Sequence, residues 1–373
     1  MSSTDFAAQF PVQKLIWARL TWKAMRDKMF IKNICGVGEG QPIQVVTELT
    51  KTEFGDQCIF NLVNDLVEDG GTGDDEREGK EEGMTSSSQI ITIDLMNHGV
   101  KEKGKMAEQK SAIKTRTFAK DRLSYWLANR SDQLAILTLS GIGYEYNLDG
   151  SLRPTNSKLK NLKFAADVTA PSTKRLLTWN GTNMLGNGDA GFGTANVTSA
   201  YLPTYKMVVQ AGAYMRTHRI MPLMSSGKEY YLMLVHPLTY AQLKLDDKFQ
   251  NALVNAGLRG DTNPWFTGAD ITVDGMIIKQ HNLVYNTMGA AAGLKWGASG
   301  AVNGTRTLVL GAQALAMADL NTGDWVEKLF QYDSQWGINV DKMQGFKLPK
   351  FYSIYDQGVE DFGRICIDHY IGM

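Results

Sequence analysis

The feature that most constrains the fold of this chain is a long acidic, glycine-rich segment between two strand-like stretches. The two stretches are residues 57–63 and 91–95, in which apolar and polar side chains alternate as in a half-buried strand. The residues between them are almost free of apolar side chains, and acidic groups far outnumber basic ones. Such a segment cannot bury itself, and connections of this length are usually functional or disordered. The pattern therefore predicts a hairpin over 54–95 whose charged tip reaches a neighbour.

Length and composition are those of an ordinary globular protein. Its 373 residues are enough for a sizeable core and predict two lobes, since one domain usually holds roughly 100 to 200 residues. The formal net charge is +0, which argues against a dedicated nucleic-acid binder because such proteins are usually basic on at least one face. No stretch reaches the ~18 apolar residues that a membrane helix needs. The cysteines Cys35, Cys58 and Cys366 lie far apart and predict neither a disulfide framework nor a metal site.

An amphipathic helix precedes the first core element. Within residues 12–30, the apolar side chains of Leu15, Trp22 and Met25 share one face at helical spacing. The glycine-rich residues 36–40 then break the pattern and predict a hinge between this arm and the body. Because the helix comes before any sheet that could cover it, we expect its apolar face to need a partner.

Charge is polarised between the hairpin tip and the segment that follows it. Residues 101–133 predict a long amphipathic helix with a basic outer face, which ends at the glycines of 141–143. Adjacent blocks of opposite charge suit the docking of one subunit's tip on another's helix, because complementary potentials set register and association rate. The alternative is two solvated faces that differ in charge. The candidate contact residues are Asp74, Asp75, Glu76, Glu78, Glu81 and Glu82 in the tip, Lys110, Lys114, Arg116 and Lys120 on the helix, and Leu15, Trp22 and Met25 in the arm.

The rest of the chain mixes strands and helices without a regular βαβ repeat, which predicts an α+β fold. Helices are predicted over 205–218, 239–256 and 312–317. Strands are predicted over 45–49, 230–235, 307–310 and 365–371, the last with one buried face, and a hairpin over 271–278 with Asp-Gly at its turn.

Neither a catalytic nor a metal-binding motif stands out. The five histidines have no metal-ligand spacing. His236 precedes Pro237 at a predicted strand end, where catalytic residues can lie, but no nucleophile motif accompanies it. We interpret His236 as a satisfied polar group at the edge of the core and expect no catalytic residue, cofactor or metal. A soluble α+β enzyme that uses His236 is the alternative from another functional class.

Short motifs follow one another in a characteristic order from about Leu15 to Ile367. They are Thr47-Glu48-Leu49-Thr50-Lys51, Gly104-Lys105-Met106-Ala107-Glu108-Gln109, Val235-His236-Pro237, Leu243-Lys244-Leu245-Asp246, Asn263-Pro264-Trp265-Phe266-Thr267-Gly268, Asp274-Gly275-Met276-Ile277-Ile278, Leu310-Gly311-Ala312-Gln313-Ala314, Lys347-Leu348-Pro349 and Asp361-Phe362-Gly363-Arg364-Ile365. In these motifs the chain resembles the major capsid proteins of tailed bacteriophages, in the family typified by the capsid protein of the phage N-four. The glycine-rich insertion over 180–194 departs from the family pattern.

The resemblance implies the α+β Hong Kong 97-type capsid fold. It implies that residues 1–50 form an N-terminal arm and residues 51–100 an extended hairpin loop, both lying over neighbouring subunits. Residues 101–200 with 335–373 would form the peripheral lobe with its long spine helix, and residues 201–334 the axial lobe. The strands of the extended loop are expected to order only against neighbours.

The resemblance also implies the function of a structural protein rather than an enzyme. The chain would self-assemble as hexamers and pentamers into the icosahedral head shell of a tailed double-stranded DNA bacteriophage. Expected partners are further copies of the chain, a portal protein, possible scaffold and cement or decoration proteins, and packaged DNA enclosed without sequence-specific binding. We expect the protein in the virion after synthesis in the host cytoplasm, without a membrane. The alternative assembly is an encapsulin-like bacterial compartment shell, which shares the fold.

Overall fold

Two β-sheets and a long helix organise the body of the protein. The computed structural model describes residues 21, 24–25, 28–46, 57–63, 66, 68–73, 78–79, 81–84, 86–110, 115–225, 227–255, 271–320, 324–332 and 334–372. The strands are β1 (Cys35–Gly36), β2 (Ile43–Val46), β3 (Gln57–Val63), β4 (Ser86–Thr92), β5 (Asp94–Lys101), β6 (Leu176–Trp179), β7 (Met184–Leu185), β8 (Leu223–Ser225), β9 (Lys228–Val235), β10 (Ile271–Val273), β11 (Met276–Gln280), β12 (Gly304–Leu310), β13 (Leu315–Asp319), β14 (Asp324–Phe330), β15 (Gln335–Lys347), β16 (Lys350–Ser353), β17 (Gly358–Asp361) and β18 (Arg364–Tyr370). The helices are α1 (Lys105–Lys110), α2 (Thr115–Ser140), α3 (Tyr205–Thr217), α4 (Pro237–Leu245) and α5 (Asp247–Asn255).

The first sheet is built around the long strand β15. Its strand order is β1-β2-β13-β15-β14, and β5 pairs with β15 as well. β5 runs antiparallel to β15, from Asp94 opposite Gln344 to Lys101 opposite Gly337. β14 and β13 pair with successive parts of β15, so this one strand holds three partners.

Helix α2 packs on the first sheet with its apolar side chains. Leu134 and Leu137 are fully buried in the same hydrophobic cluster as Phe346 of β15. Nearer the middle of the helix, the ring of Trp126 stacks on His98 of β5, with 4.4 Å between the ring centroids. The long helix and the first sheet therefore share one core.

The second sheet has the C-terminal strand at its centre. Its order is β10-β11-β9-β12-β18-β6-β7, and β8 pairs with β9. Cys366 of β18 packs in the core below α2, whereas Ile365 and Ile367 pack in a second core with α3. The prediction of a strand over 365–371 is confirmed. The prediction that only one of its faces is buried is wrong, because the strand lies between β12 and β6 in a sheet covered on both sides.

Two buried arginines tie the end of α2 to the second sheet. Arg306 donates from Nη1 to the carbonyl of Ser140 at 2.7 Å and holds both carboxylate oxygens of Asp368, at 2.6 and 2.8 Å. Arg364 donates to the carbonyl of Leu139. Cations at the carboxyl end of a helix satisfy its last carbonyl groups and oppose its dipole. The second sheet thereby holds the end of α2 in place.

The predicted long helix is confirmed at its carboxyl end and begins later than predicted. It ends at Ser140, and Gly141 follows with a φ of 67°, a left-handed conformation that favours glycine. Within the predicted span, residues 105–110 are also helical, as α1, residues 111–114 lie outside the described residues, and Lys101 ends β5. Lys101 is not helical because the backbone of β5 hydrogen-bonds along β15.

Two further predicted helices differ from the structure. The helix predicted over 312–317 is wrong: Leu315–Asp319 is a strand between β2 and β15, and Gln313 has a φ of 53° in the turn before it. The alanines of this segment favour a helix, but its buried backbone groups form hydrogen bonds with two neighbouring strands, β2 and β15. The helix predicted over 239–256 is two helices, α4 and α5, divided at Asp246, whose carboxylate accepts from the amides of Tyr205 and Lys248.

The predicted hairpin over 271–278 is confirmed. β10 and β11 pair antiparallel, and Asp274 and Gly275 occupy the turn with φ angles of 48° and 75°. The two sheets also join strands across the predicted lobe boundaries. β13 and β14 lie in the first sheet, and β6, β7 and β18 lie in the second.

Candidate functional site

The projecting hairpin has one covered face and one exposed face. β3 and β4 pair antiparallel along their whole length, so residues opposite each other share a face. Cys58 and Phe60 lie on one face and are each 3% exposed. Ile59 and Ile90 lie opposite each other on the other face and are 49% and 47% exposed. The exposed isoleucine pair is an apolar spot that the chain's own body leaves uncovered.

The covered face packs on a small hydrophobic cluster of the body. The ring of Phe60 stacks on Phe351 of β16 with 5.9 Å between centroids, and Ala316 of β13 lies in the same cluster. The side-chain amide of Gln89 donates to the carbonyl of Lys350 and accepts from its N–H. The expectation that these strands order only against a neighbour is therefore wrong for the base of the hairpin, which the chain's own body holds.

A glycine permits the close approach of the hairpin base to β15. A Cβ added to Gly345 would collide with the carbonyl oxygen of Thr92, the last residue of β4. The neighbouring side chain of Ile91 is fully buried. Because the obstruction is backbone rather than a flexible side chain, a larger residue at this position would displace the hairpin.

The described part of the acidic tip satisfies some of its own backbone. Glu82 accepts a hydrogen bond from the amide of Glu68 at 2.9 Å, and Glu81 accepts one from the amide of Gly79 at 2.8 Å. Glu78 is exposed. Asp74, Asp75 and Glu76 lie outside the described residues. The tip therefore presents carboxylates to solvent, and the carboxylates of Glu81 and Glu82 also stabilise its backbone.

The other residues predicted to contact a neighbouring copy lie on several elements of the structure. Lys110 ends α1 and is exposed, whereas Lys120 of α2 lies 3.8 Å from Asp121 in an ion pair. Lys114, the side chain of Arg116, Leu15 and Trp22 lie outside the described residues. Met25 is fully buried in the chain's own first core and has no surface left for a second copy.

The segment around residues 30 and 31 is anchored to α2 by a buried carboxylate. Asp132 accepts hydrogen bonds from the amides of Phe30 at 2.9 Å and Ile31 at 3.2 Å. Burial raises the pKa of Asp132 to about 6, although both amides and Lys342 oppose the shift. The ring of Phe30 also stacks on His281, at 3.8 Å between centroids, so this short segment joins α2 to the second sheet.

The small hairpin of β16 and β17, on which the long hairpin rests, is held by a cluster of charges at its turn. Asp356 binds Arg175 and the ring of His218, each at 2.6 Å. Burial alone would raise the pKa of the Asp356 carboxyl, but the contacts with His218 and Arg175 hold it below its usual value. A cleft of about 550 Å³ lies beside this cluster, lined by Leu62 of the long hairpin and Tyr355 of the small one.

His236 acts as a helix cap. Its Nδ1 accepts a hydrogen bond from the amide of Leu238 at 3.3 Å, directly at the start of α4. Desolvation lowers the pKa of the imidazole. Within the described ranges, the structure has neither a cluster of His, Cys, Asp and Glu side chains that could hold a metal ion nor a helix able to span a membrane.

Comparison with protein families gives one match over almost the whole chain. The family described as "Phage capsid protein" matches residues 9–373. The chain is also 43% identical over 366 residues to the major capsid protein of Pseudomonas phage KPP25, covering 98% of this chain and 96% of that protein.

Solved structures share the fold over most of the chain. The capsid of Ralstonia phage GP4 superposes with a TM-score of 0.74 at 24% identity, covering 92% of both chains. The capsid of cyanophage Pam1 has a TM-score of 0.69 at 19% identity, again with 92% of both chains covered. The acid-stable capsid of Helicobacter pylori bacteriophage KHP30 has a TM-score of 0.63 at 12% identity, with 92% of this chain and 91% of that chain covered.

Proposed function

The chain belongs to the phage capsid protein family, and from this premise we propose how its parts build a phage head. The chain is a major capsid protein, a structural protein of the virion rather than an enzyme, with the Hong Kong 97-type fold. The observation that carries this conclusion is the 43% identity over 366 residues to a phage major capsid protein.

Copies of the chain are the principal partners. We propose that they assemble as hexamers and pentamers into an icosahedral shell, together with a portal protein, a scaffold protein and cement or decoration proteins. The shell would enclose double-stranded DNA without sequence-specific binding. The formal net charge of +0 supports this role, since a container must not bind its genome strongly. Synthesis would take place in the cytoplasm of the bacterial host.

The four predicted segments have separate roles in this proposal. Residues 1–50 are the arm and residues 51–100 the extended loop. Residues 101–200 with 335–373 form the peripheral lobe around α2, and residues 201–334 form the axial lobe, with strands exchanged between the lobes at the two sheets. The projecting hairpin of β3 and β4 supports the role of the second segment, because its outer face leaves Ile59 and Ile90 exposed.

Contacts between copies follow from charge. We propose that the acidic tip of one copy docks against the basic segment of a neighbour around Lys110, Lys114, Arg116 and Lys120. Complementary charge of this kind governs register and association rate more than affinity. The arm would contribute a further contact through Leu15 and Trp22.

Assembly of the purified protein tests the proposed function. Light scattering after size-exclusion chromatography, with electron micrographs of the high-mass fraction, should reveal closed shells or capsomers. The variant His236→Ala should assemble like the wild type if it folds, because the imidazole caps a helix. A protein that stays monomeric under all assembly conditions would overturn the proposal.

A further inference from the structure

The cleft beside the small hairpin is bounded by three parts of the fold. Leu62 of the long hairpin, Tyr355 of the small hairpin and residues 218–222 after α3 all line it. Its volume is about 550 Å³, within the ~300–1,000 Å³ of sites that take small organic ligands. A ligand in this cleft would therefore contact both hairpins and the segment after α3 at once.

The walls of the cleft are largely apolar. Ile220, Pro222 and Phe362 line it, and so do Met221 and Tyr355, which are 41% and 47% exposed. Apolar walls with a small number of polar groups are typical of ligand sites. The cleft therefore suits the apolar or aromatic part of a ligand.

One buried donor of the cleft has no acceptor. Arg175 lines the cleft, and its side chain is 3% exposed. Its Nη2 donates to Asp356 at 2.6 Å and its Nε donates to the carbonyl of Asp361 at 3.0 Å. Its Nη1 is buried and has no hydrogen-bond partner among the residues that the structure describes. Because leaving a buried donor unpaired is unfavourable, an acceptor that enters the cleft would gain this hydrogen bond.

A second arginine belongs to the same site. Arg219 is exposed, and its guanidinium carbon lies 4.3 Å from the centroid of the Tyr355 ring. Its φ is 49°, a strained left-handed conformation of the kind that clusters at functional sites. In the described ranges, no carboxylate lies within ion-pair distance of Arg219. Asp356 connects the two arginines, since it binds both Arg175 and His218, the residue before Arg219.

The buried carboxylates in and beside the cleft are already bound by the chain itself. Asp356 binds Arg175 and His218, Asp361 binds Arg364 at 2.9 Å and has Lys350 at 3.5 Å from its Oδ1, and Glu360 accepts from the amide of Lys174. Glu39 also lines the cleft and is exposed to solvent. The buried donor and the second guanidinium are both cationic, which favours an anionic ligand, and arginine is well suited to bind a carboxylate.

We propose that the cleft binds an organic carboxylate that carries an apolar or aromatic group. The carboxylate would lie between Nη1 of Arg175 and the guanidinium of Arg219, with the apolar group against Met221 and Tyr355. Two sources carry this chemistry, a free organic acid and the carboxyl-terminal residue of another polypeptide. The site goes beyond the proposed function as a shell protein, since its occupancy would link the long hairpin to the small one through a ligand.

Calorimetric titration of the unassembled protein tests the proposal. N-acetylphenylalanine should bind saturably, and its neutral amide should bind at least tenfold more weakly because it lacks the charge. Arg219→Gln should weaken binding of the acid at least tenfold and leave binding of the amide unchanged. The matched control Arg216→Gln changes another exposed arginine, which pairs with Asp274 and does not line the cleft, and should bind the acid like the wild type.

A variant at the buried arginine examines the other donor. Arg175→Lys keeps a cation for Asp356 but lacks the second nitrogen of the guanidinium fork, so it should also bind the acid at least tenfold more weakly. Circular dichroism and thermal unfolding verify that it folds. Because Arg219 is exposed, the variant Arg219→Gln decides the matter even where Arg175→Lys does not fold.

The peptide SGSLF and its amidated form distinguish the two sources of the ligand. Tighter binding of the free peptide than of N-acetylphenylalanine would identify the terminus of a polypeptide, and the reverse order would identify a free organic acid. Equal binding of acid and amide, absence of binding by the wild type at millimolar concentration, or an unchanged affinity of Arg219→Gln would each overturn the inference. These results leave the proposed function in place, because light scattering measures shell assembly separately.

Discussion

The protonation of Asp132 bears directly on the anchorage of residues 30 and 31 to α2. Its carboxylate accepts two backbone hydrogen bonds in a buried position, and burial raises its pKa to about 6. The pKa in the unfolded chain is about 3.9, so the folded chain binds the additional proton between these values. The charged carboxylate therefore lowers stability above about pH 6, and this penalty disappears as the pH falls toward 4.

Replacing Asp132 by Asn should remove this pH dependence. The free energy of unfolding of the wild type, relative to Asp132→Asn, should rise by about 2 kcal/mol between pH 7.5 and pH 4. Urea unfolding of both proteins at a series of pH values measures this difference, in which the titration of all other groups cancels. A difference that stays constant across this range would contradict the role of Asp132.

The buried Asp356 should contribute much more to the free energy of unfolding than Asp274, an exposed aspartate that also pairs with an arginine. Its partner Arg175 is 3% exposed, so Asp356→Asn leaves a buried guanidinium without its counter-ion and should cost about 3–5 kcal/mol. Asp274 pairs with Arg216 at 3.1 Å, but its side chain is 52% exposed. The control Asp274→Asn should cost at most about 1 kcal/mol. Chemical unfolding at pH 7 compares the two, and equal losses would contradict the importance of burial.

At the scale of elements, the two faces of the long hairpin should separate stability from assembly. Phe60→Ala removes a ring from the buried cluster and should lower the free energy of unfolding by about 3–5 kcal/mol. Ile59→Ala changes the adjacent exposed residue and should cost less than about 1 kcal/mol while reducing the yield of assembled particles. Hydrogen exchange of the hairpin amides, with light scattering, distinguishes the effects. Similar stability losses in both variants would contradict the assignment of faces.

The hairpin is the element that sequence alone predicts best. Alternation of apolar and polar side chains with period two is a local signal, and the strand predicted over 57–63 coincides with β3. The second strand runs over Ser86–Thr92 rather than the predicted 91–95, because its serines and Gln89 carry no apolar signal. Asp94 and Leu95 belong to β5, which pairs with β15 instead. Gln89 pairs with Phe60 within the hairpin, and its side chain bonds to the backbone of Lys350, which is 261 positions away in the sequence.

The wrong and missing predictions share one physical cause, which is contact between residues far apart in the sequence. The alanines of 312–317 favour a helix locally, yet β2 and β15 impose a strand on Leu315–Asp319. The acidic tip was predictable from composition, but the meeting of Lys101 and Lys328 over one aromatic ring was not. Lys328 lies more than 220 positions from Lys101, and only the packing of both on Phe330 brings them together.

At the scale of the whole molecule, weak contacts matter through repetition. An exposed ion pair contributes only about 0 to 1 kcal/mol, but a closed shell contains the same contact once for each copy. Charges on the tip should therefore affect assembly far more than they affect the stability of one subunit.

Neutralising the tip tests this expectation. The variant Asp74→Asn/Asp75→Asn/Glu76→Gln should assemble more slowly at low salt and show a weaker dependence on salt, with an unchanged unfolding temperature. The control Glu145→Gln/Glu229→Gln neutralises exposed acids elsewhere and should behave like the wild type. Time-resolved light scattering at low and high ionic strength measures both rates. Identical kinetics for the tip variant and the wild type would contradict docking by charge.

The place of β18 between β12 and β6 determines when a newly made chain can complete its second sheet. Strands β12 and β6 gain their shared neighbour only when residues 364–370 have left the ribosome. Until then the second sheet is divided and the arginine of β18 that binds the end of α2 is absent. A chain that lacks these residues therefore cannot complete its second sheet or hold the end of α2 with both arginines.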